Sequence, residues 1–134
     1  MQITVVIPTH DRPELLREAI ASVEAQGFDQ WDVIVVDDGS RPPARIAPLA
    51  AVPAKRTRLL RNEEAQGPSE ARNAGMRAAT GDVIFFLDDD DLLGADVLAR
   101  IDAAFRCDTD LNCPSPGAVF SDRQSAGCSG VTSA

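Results

Sequence analysis

The chain has 134 residues, 44 % apolar and 25 % charged, which suffices for one globular domain with its own core. Thirteen basic against 21 acidic residues give a formal net charge of −8, which argues against nucleic acid or an anionic membrane as a main partner, since both need a basic face. The three cysteines, Cys107, Cys113 and Cys128, are odd in number and form no C-x-x-C pair, so reduced thiols in a cytoplasmic protein are expected rather than a disulfide framework or a zinc site.

"MQITVVIPTH" lacks a basic leader, and its apolar run stops at Pro8, which speaks against a signal peptide. No apolar run is long enough for a membrane span. The β-branched run Ile3–Ile7 predicts a first, fully buried strand. A helix is expected over Pro13–Gln26, with Asp11 and Glu14 as a capping box and Leu15, Leu16, Ala19, Ile20 and Val23 on one face. Asp32–Val36 predicts the second strand, with Trp31 packed beside it. Pro- and Ala-rich sequence follows, with a short helix near 45–51. Arg58–Arg61 predicts a third strand. A helix over Ser69–Ala79 presents Ala71, Ala74, Ala78 and Ala79 as a small-residue face, with Ser69 as N-cap and Gly75 suited to close helix–sheet packing. Asp82–Leu87 predicts the fourth strand and Ala95–Arg106 the third main helix, burying Val97, Leu98, Ile101 and Phe105. Gly117–Ser121 predicts a fifth strand. The expected organisation is one domain over residues 1–122 and a poorly structured tail over 123–134.

Strands that are continuous apolar runs, alternating with helices, predict an α/β fold: an open, mostly parallel sheet with helices on both faces. Ligands of such sheets bind beyond the carboxyl ends of the strands. The residues standing there are Thr9, His10 and Asp11; Asp37 and Asp38; and Asp88, Asp89, Asp90 and Asp91. Two strands thus end in acidic clusters with no Cys or His among them. Oxygen-only donors suit a hard divalent cation, Mg or Mn, which would carry a phosphorylated ligand and neutralise a leaving diphosphate. The plainer alternative is a solvated loop in which Asp91 only starts a helix. Gly39 is either a turn glycine or a point where backbone approaches a ligand. Neither G-x-G-x-x-G nor a P-loop is present. Arg72, near the start of its helix, is either a surface residue or a contact to phosphate or base. His10, the sole histidine, is read as structural or solvent-facing.

In "VVIPTHDRPELLREAIASVEAQ", "WDVIVVDDGS" and "GPSEARNAGMRAATGDVIFFLDDDDLL" the order, spacing and flanking apolar runs resemble those of the family 2 glycosyltransferases with the GT-A fold. The resemblance spans residues 2–122 and includes that family's DxD element as Asp88-x-Asp90. It implies a nucleotide-diphosphate sugar donor, with UDP favoured, and transfer to an acceptor hydroxyl with inversion. It places Pro8 and Thr9 along the nucleoside, Asp38 on the base, Arg72 near the nucleotide, Asp88 on ribose or metal, and Asp90 as main metal ligand. Asp89 either points away or shares the cation. No general base and no acceptor are assigned. The alternative that this reading keeps is a non-catalytic nucleotide-sugar-binding module, or a donor half lacking the acceptor region.

Overall fold

The computed structural model describes residues 2–45, 56–107, 118–121 and 132–133. β1 (Ile3–Thr9) and β2 (Trp31–Asp38) are buried on both faces along almost their whole length, as strands at the centre of a covered sheet must be. They pair in parallel, Ile3 opposite Trp31 through Thr9 opposite Asp37. β3 (Thr57–Asn62) adds to the outer side of β2, and β4 (Val83–Phe86) to the other side of β1, both parallel. β5 (Ala118–Ser121) follows β4 in parallel, and β6 (Thr132–Ser133) closes the sheet antiparallel, giving the order β3-β2-β1-β4-β5-β6. Strand order therefore reverses at β1, and the crevice between the ends of β1 and β4 is where such a sheet receives ligands.

Helices cover both faces. α1 (Pro13–Glu24) and α3 (Val97–Cys107) sit on the face formed by Ile3, Val5, Ile7, Val33, Val35 and Phe85. α2 (Pro68–Ala78) sits on the opposite face, over Val6, Ile34 and Val36. Its buried side is made of alanines, as the sequence predicts, and Gly75 lets it approach β1 so closely that a methyl group there would collide with Val6. Trp31 is buried at the start of β2, with the Arg56 guanidinium 5.3 Å from its ring centroid.

Three local expectations are corrected. Leu15 lies outside the buried stripe of α1, exposed to 38 %, while Leu16, Ala19, Ile20 and Val23 are buried. The Asp11–Glu14 capping box does not form. Arg12 stands at the N-cap position without a side-chain cap, because the Asp11 carboxylate instead accepts the Arg41 N–H at 2.7 Å. Ser69 does not cap α2: Gly67 (φ +98°) takes that position and Pro68 opens the helix. The expected helix near 45–51 and most of the 123–134 tail lie outside the described residues. Among the described residues no helix is long and apolar enough to cross a membrane.

Candidate functional site

A cleft of about 590 Å³ opens at the carboxyl ends of β1, β2 and β4, at the reversal point of the sheet. Its wall combines Pro8 and Thr9 from β1, Asp38 from β2, Arg72 from α2, and Asp88, Asp89 and Asp90 after β4. Each of these residues is one that the sequence marks, and the structure brings all seven to one cavity. His10, Asp11 and Arg12, from the β1–α1 turn, form the side towards α1.

Strand parity decides what each carboxylate does, because successive side chains point to opposite faces. Asp38 shares the α2 face with Ile34 and Val36. Its Oδ1 accepts from Asn62 Nδ2 at 3.2 Å and from the Gln66 N–H at 2.8 Å, and its Oδ2 accepts from the Gly67 N–H at 2.9 Å. Burial pushes its carboxyl up, but these donors and nearby His10 outweigh burial and hold it below the usual carboxylate range. Three of about four acceptor positions are taken, which leaves Oδ2 able to accept one more hydrogen bond.

Asp37 faces the opposite way, fully buried, and is absent from the cleft. It accepts from the Ser40 N–H at 3.0 Å and the Ala44 N–H at 2.9 Å, and pairs with Arg61, its register neighbour on β3. Burial raises its carboxyl, and Ser40, Ala44 and Arg61 more than reverse this, leaving it lowered. Gly39, between Asp38 and Ser40, has φ +72°, and a Cβ there would meet the Ala65 backbone. Its freedom thus serves a turn closing on the protein's own 64–65 segment.

The run after β4 divides likewise. An N–H···O bond from Asp91 to the Asp88 carbonyl at 3.0 Å closes a β-turn, which draws the first and last carboxylates together. Carboxylate oxygens of Asp88, Asp90 and Asp91 lie within 4.8 Å of one another, and this is the cation-sized cluster among the described residues. All donors are hard oxygens, so the set fits Mg²⁺ or Mn²⁺. Asp88 also accepts from Arg72 Nη2 at 2.7 Å. Asp89 is buried on the α1 side. Its Oδ2 accepts from the Thr9 hydroxyl at 3.0 Å and its Oδ1 from Arg12 Nη1 at 3.3 Å. Burial raises its carboxyl above the ordinary value, and Thr9 and Arg12 offset that only in part. Arg12 reaches Asp90 as well, at 3.7 Å. His10 Nδ1 lies 2.6 Å from the Asp38 carbonyl and Nε2 3.1 Å from Asp11, so it ties two loops together.

Sequence reasoning passes over Arg12, Arg61, Asn62 and Gln66, the residues that hold the carboxylates in place. Their partners come from other strands and loops, and only the pairing of β2 with β3 and the return of the 62–67 segment reveal them.

The sequence model of glycosyl transferase family 2 matches residues 4–127. The chain belongs to this family. The O-antigen biosynthesis protein RfbC of Myxococcus xanthus is 38 % identical over 112 residues, covering 81 % of this chain and 9 % of that protein. The crystal structure of S. aureus TarS 1-349 in complex with UDP-GlcNAc matches with a TM-score of 0.67 at 25 % identity, over 81 % of this chain and 32 % of that one. Mannosyltransferase PcManGT from Pyrobaculum calidifontis, in complex with GDP-Man and Mn²⁺, matches with a TM-score of 0.57 at 28 % identity, over 71 % of this chain and 29 % of that one. The fold is that of the GT-A glycosyltransferases, and this family 2 chain spans a third or less of the length of these three proteins.

Proposed function

We propose that this chain is the donor-binding portion of a glycosyltransferase that takes a nucleoside-diphosphate sugar, with UDP as the favoured nucleotide, and uses a divalent cation. The observation that carries this reading is the convergence of Asp38 with Asp88 and Asp90 on one cleft at the strand-order reversal. Its volume falls in the range of small-molecule sites. The complexes of TarS with UDP-GlcNAc and of PcManGT with GDP-Man and Mn²⁺ support it by likeness.

In this reading Asp88, Asp90 and Asp91 hold the cation, with Asp90, the exposed member, as principal ligand. When bound, the cation supplies positive charge against the departing nucleoside diphosphate. Pro8 and Thr9 line the nucleoside, while the Thr9 hydroxyl also keeps Asp89 turned from the cation cluster. Asp38 offers its remaining acceptor position to a base N–H, and its other bonds fix its orientation before ligand arrives. Arg72 exchanges Asp88 for a donor phosphate oxygen. Transfer proceeds with inversion, an acceptor hydroxyl attacking the anomeric carbon from the side opposite the leaving group.

A thermal-shift panel of UDP-, GDP- and dTDP-sugars, with and without Mn²⁺, tests this. A ligand that binds only the folded state raises the melting temperature, by about 2.7 kcal/mol of stabilisation at a concentration of 100 Kd. A rise for one nucleotide class, present with Mn²⁺ and absent with chelator, is expected. No rise for any member of the panel would refute the assignment.

A further inference from the structure

The acidic turn after β4 runs into residues 91–94, which lie in no strand or helix. Buried backbone groups in such a stretch need partners from elsewhere. Ser22, in the last turn of α1, and Gln26, two residues past its end, supply them. Ser22 Oγ accepts the Leu93 N–H at 3.0 Å, while its hydroxyl donates to the Ala19 carbonyl at 2.6 Å. Gln26 is buried. Its Nε2 donates to the Gly94 carbonyl at 2.8 Å and to the Ser22 carbonyl at 3.2 Å, and its Oε1 accepts the Leu98 N–H at 3.2 Å. Leu98 is the second residue of α3, so its N–H has no partner within that helix. One side-chain amide thus joins the end of α1, the loop after the aspartates and the start of α3. Turned over, it would set its oxygen against two carbonyls. At the other end of α1, Arg12 reaches Asp89 at 3.3 Å and Asp90 at 3.7 Å. The run 89–98 is therefore tied to both ends of one helix.

We infer that Ser22 and Gln26 are positioning residues for cation binding: through the backbone of Leu93, Gly94 and Leu98 they splint the acidic turn against α1 and keep Asp90 and Asp91 close to Asp88. This deepens the cation reading given above and rests on it. Carboxylates of Asp88, Asp90 and Asp91 crowded within 4.8 Å repel one another until a cation arrives, and a slack loop would let them part. Leu93 stands two residues after Asp91, so an anchor at its N–H limits how far the Asp90 and Asp91 carboxylates swing away from Asp88. The ordering is then in place before the ion binds, which raises affinity without any further contact to it.

The test is calorimetric titration of Mn²⁺ alone into the full chain and its variants, with amide hydrogen exchange measured on the same samples. Gln26→Ala is expected to lower Mn²⁺ affinity about tenfold, the low end of what loss of an outer partner costs a metal site, and to speed exchange at Leu98. Ser22→Ala, a milder change, should lower affinity in the same direction and speed exchange at Leu93, and Ser22→Thr, which keeps the hydroxyl, should restore both. Ile34→Val, a truncation in the core under α2, should lower the melting temperature yet leave Mn²⁺ affinity within about twofold. An equal loss of affinity in Ile34→Val would reduce Ser22 and Gln26 to stability alone and overturn the inference. Affinity lost in Asp90→Asn but kept in Gln26→Ala and Ser22→Ala would overturn it while the cation reading stood. Mn²⁺ binding absent from the native chain, or unaltered by Asp90→Asn, would overturn both together.

Discussion

At the scale of single residues, neighbouring aspartates have opposite duties. Asp90 is exposed and belongs to the three-carboxylate cluster. Replacing it by Asn should cut nucleotide affinity in Mn²⁺ at least tenfold. The melting temperature should stay within about 2 °C, since an exposed substitution rarely moves stability beyond ~0.5 kcal/mol. Calorimetry and a thermal melt on the same sample check both halves. Arg72 pairs with Asp88, so in the proposed site it would compete with the cation for that carboxylate. Arg72→Ala should therefore raise the affinity for Mn²⁺ alone by about two- to fivefold, in keeping with a half-exposed ion pair worth at most ~1 kcal/mol. The same change should weaken nucleotide binding, and opposite movement of the two affinities separates this role from a merely structural one. Arg61 answers the fully buried Asp37. Arg61→Ala should cost roughly 3 kcal/mol in urea denaturation, because it strands a buried charge, without a direct effect on the cleft.

At the scale of elements, the strands and helices were legible because continuous β-branched runs and a period of 3.6 admit few other readings. Boundaries moved by one or two residues: β1 runs on through Thr9 and β2 through Asp38, since polar residues at a strand end still pair along the ladder. The residues that line the cleft were legible as a set, but the way each carboxylate is held was not. "DDGS" and "DDDD" read as uniform acid, whereas Asp37 and Asp89 turn towards the α1 side and Asp38 and Asp88 towards α2. Alternation within β2 was a usable signal for splitting Asp37 from Asp38. The identities of Arg61, Gln66 and Arg12 as partners had no local signal at all, because they depend on which strand lies beside which. Asp91 joins the cluster through a turn that four identical residues cannot announce. Close approach of α2 to β1 is an element-level contact that mutation can test. Gly75→Ala should destabilise the fold by about 1–3 kcal/mol, read from the denaturation midpoint, by forcing Val6 and the helix apart.

At the scale of the whole molecule, the carboxylates set how stability responds to acid. Asp37 and Asp38 have lowered folded-state values, so their contribution is present above the unfolded value of about 3.9 and is lost as pH falls through the folded ones. Asp89 is raised and acts with the opposite sign: its contribution is complete below the unfolded value and is lost as pH rises through its folded one. Stability should hold near neutrality and fall below about pH 4. In Asp89→Asn the loss between neutral and acid pH should be larger, because the partial offset is gone; urea titrations across pH 2–7 measure both curves.

The same acidity bears on the proposed binding, for in a chain of net charge −8 a cation would offset the repulsion between a diphosphate and the carboxylates that line the cleft. The direct measurement is calorimetric titration of UDP into the chain and its Asp90→Asn variant, each in Mn²⁺ and in EDTA. Saturable binding confined to the native chain in Mn²⁺ is the expected result. Equal binding in EDTA, or undiminished binding by the Asp90→Asn variant, would contradict the claim that these aspartates seat a cation carrying the nucleotide.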